Sequence, residues 1–136
     1  MEETANTAGS PVVVGERKQV IYLASPYSSP YKWKRLQRFL EVAKAVGALK
    51  DRGIIAFSPI CHSHPVTVHY LGDDHIAFDN WKDFDTEMIR RCDALWVLML
   101  EGWDQSEGIK AELEIAKSLG KEILYLEPGS LNPHSR

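Results

Sequence analysis

An α/β fold, with a parallel sheet covered by helices on both faces, is predicted by three observations. Four short runs are apolar throughout rather than alternating, as strands buried on both faces must be. Helical patterns separate them in the order β-α-β-α-β-α-β. The chain has 136 residues, and at roughly 100–200 residues per domain this allows one domain.

Residues 1–18, rich in Glu, Thr, Ala and Gly, are expected to form a flexible leader. The domain spans 19–127, and 128–136 form a polar tail. The run VIYLA at 20–24, stopped by Ser25-Pro26, predicts the first strand. A helix follows over 31–52, with Leu36, Phe39, Leu40, Ala43, Val46 and Leu49 as its apolar stripe and Gly53 as its cap. IIAF at 54–57, ended by Ser58-Pro59, is the second strand, and 61–75 is a His-rich connection. A second helix covers 80–91, with Trp81, Phe84, Met88 and Ile89 on one side. ALWVLML at 94–100 is the third strand. A loop over 101–105 leads to a helix over 107–119 closed by Gly120, and EILYL at 122–126 is the fourth strand. The arrangement is a three-layer, Rossmann-like (flavodoxin-like) domain with four or five strands. Its ligands belong beyond the carboxyl ends of the strands, where residues 25–30, 58–64 and 101–108 meet.

Composition narrows the function classes. A hydrophobic share of 44% and a charged share of 26% are those of a folded chain. A net charge of -3 disfavours a duplex nucleic-acid binder. Two cysteines cannot build a disulfide framework. No apolar run approaches the ~20 residues of a membrane span. The polar start lacks the features of a secretion signal, so a cytoplasmic location is expected.

Polar residues on apolar faces carry the chemistry. Glu112 falls in the stripe of Ile109, Ala116 and Leu119, and Asp85 falls between Trp81 and Ile89. An unpaired buried carboxylate is costly, so each is either paired, kept for chemistry, or at the wet edge of its stripe. Two such groups at a ligand-binding edge suit a nucleophile and a general acid. Tyr22 lies inside the first strand, where a buried hydroxyl needs a partner. Ser106 is either the cap of the last helix or, with Gly108, part of an anion site. The segment Ser25, Pro26, Tyr27, Ser28 supplies hydroxyls without the glycines of a phosphate-binding loop. His62 and His64 match no metal-ligand spacing, and no metal is expected; they are expected to contact a ligand. Lys32, Lys34, Arg35 and Arg38 read as the solvated face of the first helix.

Three stretches, IYLASPY, FDTEMIRRCDALWVL and SEGIKAELEIAKSLGK, occur in order between residues 20 and 126. In them the chain resembles the nucleoside 2-deoxyribosyltransferase-like superfamily and looks most like a branch of unassigned function. That superfamily also holds hydrolases of nucleoside 5'-monophosphates. The resemblance implies that Glu112 is the nucleophile, Asp85 the acid assisting the leaving base, and Tyr22 the residue orienting the nucleophile. Ser106 takes the place of a residue that binds the 5'-hydroxyl or 5'-phosphate. Glu107 departs from the neutral residue of the hydrolases.

The implied activity is cleavage of the N-glycosidic bond of a nucleoside or nucleoside 5'-monophosphate, by hydrolysis or deoxyribosyl transfer. It needs no cofactor, metal or redox group. The implied partners are a small nucleoside or nucleotide and further copies of the chain, a dimer or tetramer, with neither nucleic-acid polymer nor membrane. Two alternatives stand beside it: a non-catalytic nucleotide sensor on the same fold, and a metal-dependent hydrolase built on the His-rich segment.

Overall fold

The computed structural model describes residues 13–15 and 17–136. Most of the expected leader lies outside the described residues. Its described part forms an antiparallel hairpin of β1 (Val13–Val14) and β2 (Arg17–Lys18). Arg17 holds that hairpin to the domain through a pair of 2.7 Å hydrogen bonds to the Asp93 carboxylate.

Then follow β3 (Val20–Ala24), α1 (Lys32–Asp51), β4 (Ile55–Phe57), α2 (Pro59–Val66), α3 (Phe78–Arg91), β5 (Ala94–Leu98), α4 (Glu107–Ser118), β6 (Glu122–Leu126) and β7 (Pro133–His134). The main sheet has the order β4-β3-β5-β6-β7. Its first four strands are parallel, and β7 is antiparallel to β6. The fold class is therefore the expected one, with the fifth strand drawn from the polar tail. Leu131 anchors that tail in the core, and Arg52 donates 2.8 Å hydrogen bonds to the carbonyls of Ser130 and Leu131.

Alternation along the strands divides the core into two layers. Ile21, Leu23, Trp96 and Leu98 meet Val42, Ala45 and Leu49 of α1 on one face. Tyr22, Ala24, Leu95 and Val97 meet Ile89 of α3 and Ile109 and Ala116 of α4 on the other. The central strand β5 is buried along its whole length, which is why it reads as uniformly apolar. Gly53 and Gly120, both at positive φ, end α1 and α4 with the reversed turn that glycine adopts without steric cost.

Three expectations need correction. Leu36 and Leu40 face solvent, while Arg35 of the presumed solvated face is buried. Helix α1 is apolar on two sides, so periodicity alone could not say which side meets the sheet. Phe84 is likewise exposed, on the outer side of α3. The His-rich connection is helical: α2, a π-helical turn at Thr67–Leu71 and a 3-10 turn at Asp73–His75. The Ser58-Pro59 pair that ends β4 also starts α2. The Ser58 hydroxyl accepts from the Cys61 N–H at 3.1 Å, and proline occupies the first helical position.

Candidate active site

The sheet order reverses at β3, whose neighbours β4 and β5 are reached by connections on opposite faces. A crevice opens beyond the carboxyl ends of the strands at such a point. Here it is framed by the segment after β3, the start of α4 and the inner faces of α2 and α3. Helical spacing of three and four residues sends Ile109, Glu112 and Ala116 to the same face of α4, against the sheet. On α3 the same rule aligns Phe78, Trp81 and Asp85, and all three line the crevice.

Glu112 and Asp85 are each only 5% exposed, so neither is a wet edge residue. Tyr22, fully buried in β3, donates a 2.5 Å hydrogen bond to Glu112 Oε2. Asp85 Oδ1 has no hydrogen-bond partner among the described residues. Burial pushes the Asp85 carboxyl up to about 7, against a smaller opposing pull from the Tyr22 hydroxyl. Burial pushes Glu112 up to about 8, with the Tyr22 hydroxyl opposing and the Asp85 charge adding to the rise. The Tyr22 hydroxyl itself is held well above its ordinary value by burial and then by the two carboxylates, so it remains a donor.

Two coupled carboxyls raised in this way retain a proton between them near neutrality. The Tyr22 hydroxyl opposes the rise in both carboxyls, and its hydrogen bond to Glu112 Oε2 favours the ionised form of that group. A buried pair that shares a proton offers one ionised and one protonated carboxyl, the two forms that nucleophilic attack and proton donation require.

The crevice is a narrow, half-open cleft of about 40 Å³. Ser25, Tyr27, Ser28, Ser106 and Gly108 line it together with Asp85 and Glu112. The structure therefore gathers these seven predicted residues in one place, with Tyr22 behind Glu112. Pro26 is fully buried and serves as backbone support. Ser25 Oγ is buried and has no hydrogen-bond partner among the described residues. Ser106 caps α4 by accepting from the Ile109 N–H at 3.1 Å while still facing the crevice, so both of its readings coexist. A wider mouth of about 720 Å³ adjoins it, where Ser28 and Ser106 stand with Arg38, Asp79 and Glu107.

The two histidines lie elsewhere. His62 is exposed and does not line the crevice; it stacks on Phe84 with ring centroids 4.6 Å apart and meets Trp81 edge-on at 5.8 Å. His64 is buried against Phe39, and its Nδ1 shares a 2.6 Å hydrogen bond with the Tyr27 hydroxyl. It supports Tyr27 from behind and faces a separate cavity. The physical reason is that 59–66 is a helix, so the residues turned to the crevice are Ile60 and Ser63. Among the described residues no three His, Cys, Asp or Glu side chains converge as a metal site would need. Arg38 clamps the crevice loops, its guanidinium donating to the carbonyls of Tyr27, Ser28 and Glu101 at 3.4, 3.0 and 3.3 Å.

Sequence reasoning missed Ile60, Ser63, Ile76 and Phe78. The spacing of Phe78 and Trp81 from Asp85 carried a usable signal. The residues of α2 and the turn before α3 did not, because prolines and histidines interrupt any helical pattern there.

The chain is thus an α/β domain with a mostly parallel sheet and two buried carboxyls beside a cleft at its switch point. The chain belongs to a family described as a domain of unknown function (DUF1937), whose model matches residues 19–127. Among solved structures it is similar to one from a study of a 2-deoxyribosyltransferase of the psychrotolerant bacterium Bacillus psychrosaccharolyticus. The two are 26% identical with a TM-score of 0.53, over 80% of this chain and 72% of that one. No curated protein matches the chain significantly. Among the described residues no helix is long and apolar enough to cross a membrane.

Proposed function

We propose that the crevice cleaves the N-glycosidic bond of a nucleoside or nucleoside 5'-monophosphate. One observation carries the reading: two buried carboxyls face one small crevice, one hydrogen-bonded by a buried tyrosine and the other unpartnered. The likeness to a 2-deoxyribosyltransferase supports the same bond as the target.

In this reading the Glu112 carboxylate attacks the anomeric carbon and forms a glycosyl ester as the bond to the base nitrogen breaks. Asp85 gives its proton to the departing base. Water, or a second base in a transfer reaction, then takes the sugar and regenerates Glu112. Tyr22 positions Glu112 and relinquishes part of its hydrogen bond as the carboxylate charge is spent. Phe78, Trp81, Ile60 and Ile76 offer an apolar wall suited to a flat base. Ser28 and Ser106 stand at the mouth, where the 5' end of the sugar would lie.

The test is a chromatographic screen of nucleosides and their 5'-monophosphates for released base, with Glu112→Gln as control. Release that depends on Glu112 supports the reading. Adding a second free base separates transfer, which yields a new nucleoside, from hydrolysis. Ligand binding without release at high protein concentration and long times would replace the enzyme by a sensor.

A further inference from the structure

We propose that the cavity behind Tyr27 is a second ligand site, separate from the crevice, which takes a small organic carboxylate: the charged head on Arg35 and Lys32, the apolar body against Leu36, Val68 and Ile76. The cavity holds about 260 Å³ between the start of α1, the end of α2 and the turns before α3. That is near the lower end of the roughly 300–1,000 Å³ of small-molecule pockets.

Arg35 is the starting observation. It is turned inward from α1 and is only 5% exposed, and it lines this cavity. A buried guanidinium needs its charge and its N–H groups met. Its one well-formed hydrogen bond among the described residues runs from Nη1 to the Ser29 carbonyl at 2.5 Å. Most of the donors of the fork are left over. The carboxylate beside it is Asp73, whose Oδ1 lies 3.6 Å from Arg35 Nη2 and whose Oδ2 lies 3.6 Å from Lys32 Nζ. Both distances exceed a hydrogen bond, and the Asp73 side chain is 61% exposed. One wet carboxylate is therefore shared loosely between two cations.

The charge that remains selects the ligand. Lys32 and Arg35 are positive and Asp73 is negative, which leaves one positive charge unmatched. Burial, and then the Arg35 charge, holds His64 below its usual pKa, so that ring adds no charge near neutrality. A planar guanidinium pairs with a carboxylate through parallel N–H···O bonds. Around this head the wall is apolar. Leu36 and Val68, 47% and 56% exposed, stand at the rim, where an apolar body would cover them. The cavity shares Tyr27 and Ile76 with the crevice, and Arg35 holds the carbonyl next to the one that Arg38 holds. A ligand on Arg35 is therefore felt along residues 27–29.

Benzoate is the probe and benzamide its neutral counterpart. Titrated into the full chain to about 20 mM and followed by amide NMR, benzoate should give saturable shifts at residues 27–29 and 67–76, with a Kd of roughly 0.1–10 mM. Benzamide should bind at least about tenfold more weakly. Asp73→Asn removes the competing carboxylate and should tighten benzoate severalfold. Val68→Glu sets a carboxylate at the rim and should weaken benzoate at least about tenfold. Both positions are exposed, so melting temperatures should stay unchanged. Absence of saturable shifts in both the wild type and Asp73→Asn overturns the proposal. So does equal binding of benzamide, or benzoate binding that neither substitution alters, since the ligand would then sit elsewhere. Tighter binding of phenyl phosphate than of benzoate overturns the carboxylate as the head group. None of these readouts depends on the activity of the crevice.

Discussion

The Tyr22 hydroxyl and the Glu112 carboxylate meet at 2.5 Å across 90 positions of the chain, in a place that water does not reach. The bond ties β3 to α4, and it favours the ionised form of Glu112. It couples stability to chemistry, so substitutions at either end should move both.

Glu112→Gln keeps an acceptor for Tyr22 and removes a buried charge. Base release should fall by about three orders of magnitude or more, while the melting temperature at pH 8 rises. Glu112→Ala strands the Tyr22 hydroxyl instead, at a cost of roughly 1–3 kcal/mol. Adding Tyr22→Phe should recover most of that loss. Melting curves and base release on the three variants check the cycle. Wild-type release from Glu112→Gln would take Glu112 out of the mechanism.

The proton on Asp85 should appear in the pH profile. With Asp85 raised to about 7, kcat/KM for base release should decline on the alkaline side as that proton is lost. Asp85→Asn should be slower by ~100-fold and lack this limb. It should be least impaired with bases that leave readily without protonation. An unchanged alkaline limb in Asp85→Asn would assign the proton to another group.

Stability should also depend on pH, with a fixed sign. Both carboxyls are raised in the folded chain, so between about pH 4 and 8 the folded state binds more protons than the unfolded one. Their contribution is present at low pH and lost as pH rises through 7 and 8. Asp93, lowered to about 2 by its bonds to Arg17, contributes a constant amount across this window. His64, lowered by burial, acts in the opposite direction below about pH 6.5. Comparing wild type with an Asp85→Asn, Glu112→Gln double variant between pH 6.5 and 8 isolates the pair. The wild type should lose stability faster, by up to about 1.4 kcal/mol per pH unit for each proton. Parallel curves would mean that the two carboxyls titrate normally.

The lining of the crevice predicts a contrast along α2 and α3. Trp81→Ala and Ser63→Val should raise KM severalfold, because both residues line the crevice. His62→Ala, at an exposed residue that does not line the crevice, should leave kcat and KM within about twofold. His64→Ala should destabilise by about 1–2 kcal/mol through loss of the Tyr27 bond. A His62→Ala variant with a large KM defect would mean that α2 turns toward the ligand on binding.

Much of the site was legible before any coordinates. Glu112 and Asp85 stand out because a carboxylate within a helical apolar stripe contradicts its neighbours, and Tyr22 because a hydroxyl interrupts a buried strand. The strands were readable because burial on both faces removes polar residues from them. The histidines misled because a local cluster says nothing about which way each ring points once the backbone turns helical. Leu36 and Leu40 misled because α1 is apolar on two sides.

The amino-acid sequence by itself determined the order of the four parallel strands and the three long helices, and it marked out the two acids that are buried, since periodicity and burial are written residue by residue. Only the tertiary structure decided that Tyr22 reaches Glu112 while Asp85 is left without a partner, that α2 turns Ser63 rather than His62 to the crevice, and that residues 133–134 complete the sheet. These depend on contacts between segments far apart in the chain. Local pattern is blind to them because the energy of such a contact belongs to the pair of segments rather than to either one.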